Sequence, residues 1–327
     1  MLNSELFLDE NFFTKAKQEA LRVGFGRALK ELGDKDPRVV AACADLTGST
    51  KMDAFRDAHP DRFFEVGITE QHMAAFASGL AAMGKVPFVS SYAMFSPGRN
   101  WEQIRTTICY NNVPVKIVGS HAGISVGPDG GTHQAIEDIA LMRILPRMVV
   151  LAPMDSLEAE RATKAAAEVD APVYIRLARE NTPIISSEKT PFKIGELYEL
   201  WRSESPELTI FATGTSVHQA LLAAKTLQDK EGIGSLLINV PTIKPLDIDA
   251  VLMYAHETER VITVENHQIA GGLGSAIAET LSTTKPVPMR MIGVKDKFGQ
   301  SGTPEELLEY YELDSNAIIK TVKDFIK

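Results

Sequence analysis

The sequence predicts an α/β protein built of two doubly wound domains with mainly parallel sheets, the second smaller than the first. Short runs apolar on both faces alternate with helical segments over the first half of the chain, the pattern of strands covered by helices on both sides. An irregular, proline-bearing stretch then interrupts this alternation, and a second, shorter alternation follows it. At 327 residues the chain exceeds the usual size of one domain, and each half is long enough to bury its own core. The boundaries expected are 1–185 for the first domain, 186–200 for a linker and 201–327 for the second.

Residues 14 to 32 place Leu21, Phe25, Ala28, Leu29 and Leu32 on one helical face. Thr14 is the expected N-cap and Gly33 the expected stop. Six strands are expected next, at "RVVAAC", "FFEVGI", "VPFVSSY", "VPVKIVGS", "MVVLAP" and "PVYIRLA", with helices near 70–83, 99–111, 135–144 and 156–169. The stretch 181–207 carries three prolines and reads as the crossing between domains. Beyond it "LTIFATG", "GSLLINV", "RVITVEN" and "VPMRMIGV" give about four more strands, alternating with helices.

A formal charge of −9 and no cluster of Lys or Arg argue against nucleic acid or an anionic membrane as partner. Any anion bound must be small and locally held. Cys43 and Cys109 sit in apolar stretches without metal-type spacing, as expected of buried thiols in a reducing compartment. The acidic start "MLNSELFLDENFF" lacks the basic and apolar segments of a signal peptide, and no 18-residue apolar run occurs. A soluble, cytoplasmic protein is expected.

Ligands of open α/β sheets bind outside the carboxyl ends of the strands, which singles out the loops after Cys43, Ile68, Tyr92, Gly119 and Leu177. Glu70 stands in the first turn of a helix of small and apolar residues, "EQHMAAFASGLAAMG". It either complements the helix dipole or is a buried functional carboxylate beside a surface open to close approach. The loop "SHAGISVGPDGGTHQ" combines backbone freedom with His121, Asp129 and His133. A surface turn, a metal site or recognition of a polyol or phosphate are its alternatives. Tyr92 and Phe95 beside a Pro-Gly break are either core or a stacking surface for a flat heteroaromatic cofactor. Arg179, just past a strand end, is either exposed or a phosphate clamp. Arg22 and Ser49 are weak signals taken singly. "AGGLGSA", 270–276, looks like a phosphate-cradling helix start, although helix packing explains it equally well.

Together these stretches resemble the C-terminal half of a transketolase, a thiamine-diphosphate enzyme, over nearly the whole chain. "FFEVGITEQHMAAFASGLA" is similar to the stretch that bears the family's catalytic glutamate. "GPDGGTHQAIEDIALMRILPRMVVLAPMD" resembles the family's most recognisable block, and "FGQSGTPEELLEYYELD" the end of its last domain. The resemblance implies a pyrimidine-binding domain followed by a C-terminal domain. It makes Glu70 the partner of N1′ on the cofactor's aminopyrimidine, favouring the imino form that takes the thiazolium C2 proton. It places Phe95, flanked by Tyr92, against the pyrimidine ring and Asp45 close to the cofactor. Asp129, His121 and His133 match positions that hold the sugar's hydroxyls or phosphate end, with the two histidines beside the reacting atoms. Arg22, Ser49 and Arg179 match positions that bind the substrate phosphate.

The family's Gly-Asp-Gly motif with a downstream Asn, which holds the cofactor diphosphate and Mg²⁺, has no counterpart here, and "GPDGG" is not it. The resemblance therefore implies a split enzyme, in which a separate N-terminal subunit brings the diphosphate and Mg²⁺ and this chain also self-associates. No metal ligands are expected in this chain. Gly98 stands about where many transketolases have a third aromatic. Ala122 and Gly123 after His121 lean toward deoxyxylulose-phosphate synthases. The β subunit of a 2-oxoacid dehydrogenase and a non-catalytic module of the same fold are the alternatives, and the first has no need of a phosphate-binding set.

Overall fold

The computed structural model describes residues 1–9 and 11–327. Its strands in chain order are β1 (Gln18–Ala20), β2 (Val39–Cys43), β3 (Phe63–Glu65), β4 (Val86–Tyr92), β5 (Lys116–Ser120), β6 (Val149–Leu151) and β7 (Val173–Arg176). They continue as β8 (Asn181–Pro183), β9 (Tyr198–Arg202), β10 (Leu208–Ala212), β11 (Ser235–Asn239), β12 (Thr242–Lys244), β13 (Val261–Gln268) and β14 (Met289–Val294). A seven-stranded sheet runs β12-β6-β7-β5-β4-β2-β3, and a five-stranded sheet β14-β13-β10-β11-β9. All pairs in the first sheet are parallel except β12 with β6, and in the second all except β9 with β11. β2, β5 and β7 are buried at every position, which is why they read as continuous apolar runs: helices cover both faces.

All six strands expected in the first half are present, and so are the four expected in the second. The first helix is displaced. It spans Leu21–Lys35, because Gln18–Ala20 are drawn out as β1 against β8. Thr14 lies inside a separate turn, Phe12–Lys15, and caps nothing on the longer helix. Gly33 lies within the helix rather than at its end, where a Cβ would come within 2.6 Å of the Phe55 and His59 rings. It is a packing glycine. The segment read as a crossing contains β8 and β9, the latter an edge strand of the second sheet.

Packing crosses the linear division at 185 and 201 in three places. Leu6, Leu8 and Phe12 join the core of the second sheet together with Trp201, Leu208 and Leu221. β12, from the far half of the chain, closes the edge of the first sheet. Between the domains, Asn239 Nδ2 donates to Glu158 Oε1 at 2.8 Å, and Asn266 Oδ1 accepts from the Ile124 amide at 3.0 Å. Arg176 is buried in an ion pair with Asp138 (2.8 Å) and donates to the Asn266 carbonyl (2.8 Å). Among the described residues no helix is long and apolar enough to cross a membrane.

Candidate active site

β7, β5, β4, β2 and β3 are consecutive neighbours in the first sheet, so the loops leaving their carboxyl ends open side by side. They carry Arg179, the segment from His121 to His133, the segment from Tyr92 to Arg99, Asp45 with Ser49, and Glu70. Arg22 enters from the first turn of the helix Leu21–Lys35.

Glu70 begins the helix Glu70–Ala82 and is 2% exposed. Its Oε2 accepts from Arg99 Nη1 at 2.9 Å, while Asn100 Nδ2 donates to the Glu70 carbonyl at 3.0 Å. A buried carboxylate needs such a partner, and burial is the condition that the functional reading of Glu70 required. In the single chain that partner is Arg99. Arg99 also lies over the Phe95 ring, 4.9 Å from its centroid, an attractive placement for a cation. Arg99 and Asn100 escaped the sequence reading because a single Arg in a loop carries no pattern. Their only signal is adjacency to the Phe95 segment.

From Phe95 the rings continue in a row. Tyr92 is near-parallel to Phe95, with centroids 6.1 Å apart and planes 15° apart, and stacks on His121 at 3.8 Å. His133 meets Phe95 edge-on at 5.5 Å. Tyr92 thus faces His121 on one side, more closely than it faces Phe95. His121 is 2% exposed with its backbone at φ 58°, and its Nδ1 lies 2.8 Å from Ser120 Oγ. Burial, and then the charges of Arg22, Arg179 and His133, push its pKa down to about 3, so the ring is neutral. At Gly98 a Cβ would fall 2.0 Å from the Met94 carbonyl oxygen. No third aromatic fits there on this backbone.

The row ends at the arginines. Arg22 Nη1 donates to the Ser49 carbonyl at 2.8 Å, while its buried Nε has no partner among the described residues. Burial, then the neighbouring Arg179 charge, lowers the Arg22 pKa. Arg179 donates to the Val126 carbonyl at 2.6 Å and lies 3.4 Å from Glu180. Two guanidiniums close enough to repel, one with an orphaned N–H, fit an anion between them. What Ser49 contributes here is its carbonyl.

Two candidates stand apart from this row. Asp129 is exposed at the end of a short 3₁₀ helix, Ile124–Asp129, and no hydrogen bond joins it to the other candidates among the described residues. Asp45 is exposed at φ 59°, and its amide donates to Glu65 Oε1 at 2.6 Å. Glu65, which the sequence reading passed over, also accepts from Thr47 Oγ1 at 2.8 Å and so holds the Asp45 loop. The "AGGLGSA" helix start is already filled. Glu265 accepts from the Leu273 and Gly274 amides at 2.8 Å each, and a Cβ at Gly272 would strike its carboxylate at 1.9 Å. Glycine serves an internal carboxylate there, so the helix start cradles no phosphate. Among the described residues no group of three His, Cys, Asp or Glu is placed to hold a metal ion.

The molecule is thus a two-domain α/β protein, with a doubly wound domain whose adjacent strand ends carry the candidate residues and a smaller α/β domain after it. The family model of the transketolase pyrimidine-binding domain matches residues 17–184, and that of the transketolase C-terminal domain residues 199–318. The chain belongs to the transketolase family. It is 43% identical to a putative transketolase C-terminal section of Methanocaldococcus jannaschii, over 94% of this chain and 97% of the relative. It is 40% identical to the 6-deoxy-6-sulfo-D-fructose transketolase subunit of Clostridium sp. (strain MSTE9), over 97% of this chain and 98% of the relative. A solved split-gene transketolase, described as an inactive β4 tetramer, superposes with a TM-score of 0.86 at 43% identity, covering 94% of this chain and 98% of that one.

Proposed function

We propose that the chain is one subunit of a split transketolase that moves a two-carbon ketol unit from a ketose phosphate to an aldose phosphate. Thiamine diphosphate is the cofactor, and a separate N-terminal subunit holds its diphosphate and Mg²⁺. The observation that supports this best is the continuity of the row. At one end Arg99 joins the buried Glu70 carboxylate to the half-buried Phe95 ring, and at the other stand Arg22 and Arg179, with the Arg22 Nε–H unpartnered among the described residues. The first end suits a ring that is flat and basic, the second a tetrahedral anion.

When bound, thiamine diphosphate supplies the nucleophilic carbon on which the two-carbon fragment is carried. Glu70 would hold the proton at N1′ of the aminopyrimidine, and Phe95 would support its ring. His121, which burial keeps neutral, and His133 beside it, next to Tyr92 and Phe95, would hydrogen-bond the sugar's oxygens, and His121 would accept or return a proton there. Arg22 and Arg179 would hold the far anion, so that remote binding energy aligns the reacting carbonyl. A terminal sulfonate, as in the substrate named for the Clostridium relative, presents the same tetrahedral oxygens as a phosphate. Asp129, Asp45 and Ser49 are assigned to the sugar, cofactor and phosphate regions on resemblance. The test is reconstitution with the partner subunit. Ketol transfer from a ketose phosphate is expected, with Glu70→Gln slower by roughly 10²–10⁴-fold. Turnover of pyruvate alone would favour the 2-oxoacid dehydrogenase reading, and full activity of the isolated chain would refute the division between subunits.

A further inference from the structure

We propose that Arg99 is a positioning residue that stands in for the cofactor ring before the cofactor arrives, and so sets the affinity for it. This rests on the function proposed above. Two groups are there assigned to the aminopyrimidine, the Glu70 carboxylate and the face of Phe95. In this chain both are engaged by one planar, N–H-bearing group, the Arg99 guanidinium, at 2.9 Å from Glu70 Oε2 and 4.9 Å from the Phe95 centroid. A guanidinium and an aminopyrimidine protonated at N1′ offer the same two features, an N–H for a carboxylate and a flat face for a ring.

The burial of the partners says which one moves. Glu70 is 2% exposed and cannot reach water, whereas the Arg99 side chain is 49% exposed. The neighbouring backbone is pinned by Asn100, which is fully buried and bonded to the Glu70 carbonyl and to Ser96 Oγ (3.2 Å). The side chain of Arg99 can therefore swing to solvent while its loop stays in place. Until it does, it satisfies a buried charge that would otherwise be unpaired. Arg99 thus keeps the cofactor-free site stable and competes with the ring that replaces it.

Calorimetric titration of the reconstituted complex with thiamine diphosphate and Mg²⁺ tests this in five forms: unchanged, Arg99→Met, Arg99→Lys, Glu70→Gln, and Arg99→Met with Glu70→Gln together. Arg99→Met is expected to bind the cofactor about tenfold more tightly, as one partly exposed charge-assisted hydrogen bond no longer has to be broken. Its cofactor-free melting temperature should fall and its cofactor-induced rise should grow. In the Glu70→Gln background the same Arg99 change should shift Kd by less than about twofold, since the carboxylate it held is gone. Arg99→Lys, which keeps the charge and loses the planar fork, should lie between. Unchanged or weaker binding by Arg99→Met, or equal tightening without Glu70, overturns the role of Arg99 alone. If no form binds thiamine diphosphate, the proposed function falls with it.

Discussion

Arg22 and Arg179 illustrate how single residues acquire meaning only in company. Each alone is an ordinary arginine near a strand or helix end. Together, with mutual repulsion and the Arg22 Nε unpartnered among the described residues, they have the charge and the free donor that suit a small anion. Arg179→Ala should therefore raise KM for a phosphorylated ketose, losing about 1.5–3 kcal/mol for a hydrogen bond to a charged group, and leave an unphosphorylated analogue nearly unaffected. Steady-state kinetics on the two donors measures the split, and equal losses would remove the anion from the role. Residue types at strand ends were legible in the sequence, including Glu70, Phe95, His121 and His133. Which atoms they use was not. Ser49 offers a carbonyl, and Tyr92 stacks chiefly on His121. Arg99 became visible only when folding set it between Glu70 and Phe95, because a lone charge in a loop leaves no periodic trace.

Helix Glu70–Ala82 carries the other half of that story. Its buried side is Met73, Ala74, Ala77, Ser78 and Ala81, while Ala75, Gly79 and Ala82 form an exposed strip of small residues flanked by exposed Ile68 and Met83. A Cβ at Gly79 meets nothing within 4 Å among the described residues. Gly79→Leu should thus leave the isolated chain folded by circular dichroism, yet reduce self-association or subunit binding in size-exclusion chromatography with light scattering. In helix Ser216–Thr226, burial pushes the His218 pKa down to about 4. Between that value and the ordinary 6.5 only the unfolded chain takes the proton, so stability falls as pH drops through the window. His218 packs edge-on against Phe12 at 5.3 Å, a contact a second phenyl ring preserves. His218→Phe should shrink the loss of melting temperature between pH 7 and 4.5, and His121 accounts for part of what remains. Elements with strong periodicity or fully apolar runs were legible. β1 and β8 were not, since each has three residues and its partner lies some 160 positions away. Nor was β12, which stands between Pro241 and Pro245 and reads locally as a turn.

For the whole molecule, the sequence conveyed two α/β units but not how they are joined. The joint is made by pairs such as Glu158 with Asn239 and Ile124 with Asn266, whose members lie far apart in the chain. A fragment ending at residue 197 keeps the candidate site and loses β12, baring the apolar edge of β6, Val149–Leu151. Exposed edges of that kind pair with other chains. The fragment is expected to aggregate at concentrations where the full chain does not, as followed by light scattering; a monomeric, cooperatively melting fragment would show the edge to be harmless. β12 also bears on how chimeras of related chains must be cut. Exchanging everything after residue 200 would import three foreign residues into the sheet that carries the candidate-site loops. The acceptor strand Val149–Leu151 and the donor segment Thr242–Lys244 are one unit of inheritance, and a recombinant that separates them tests that match before it tests any chemistry.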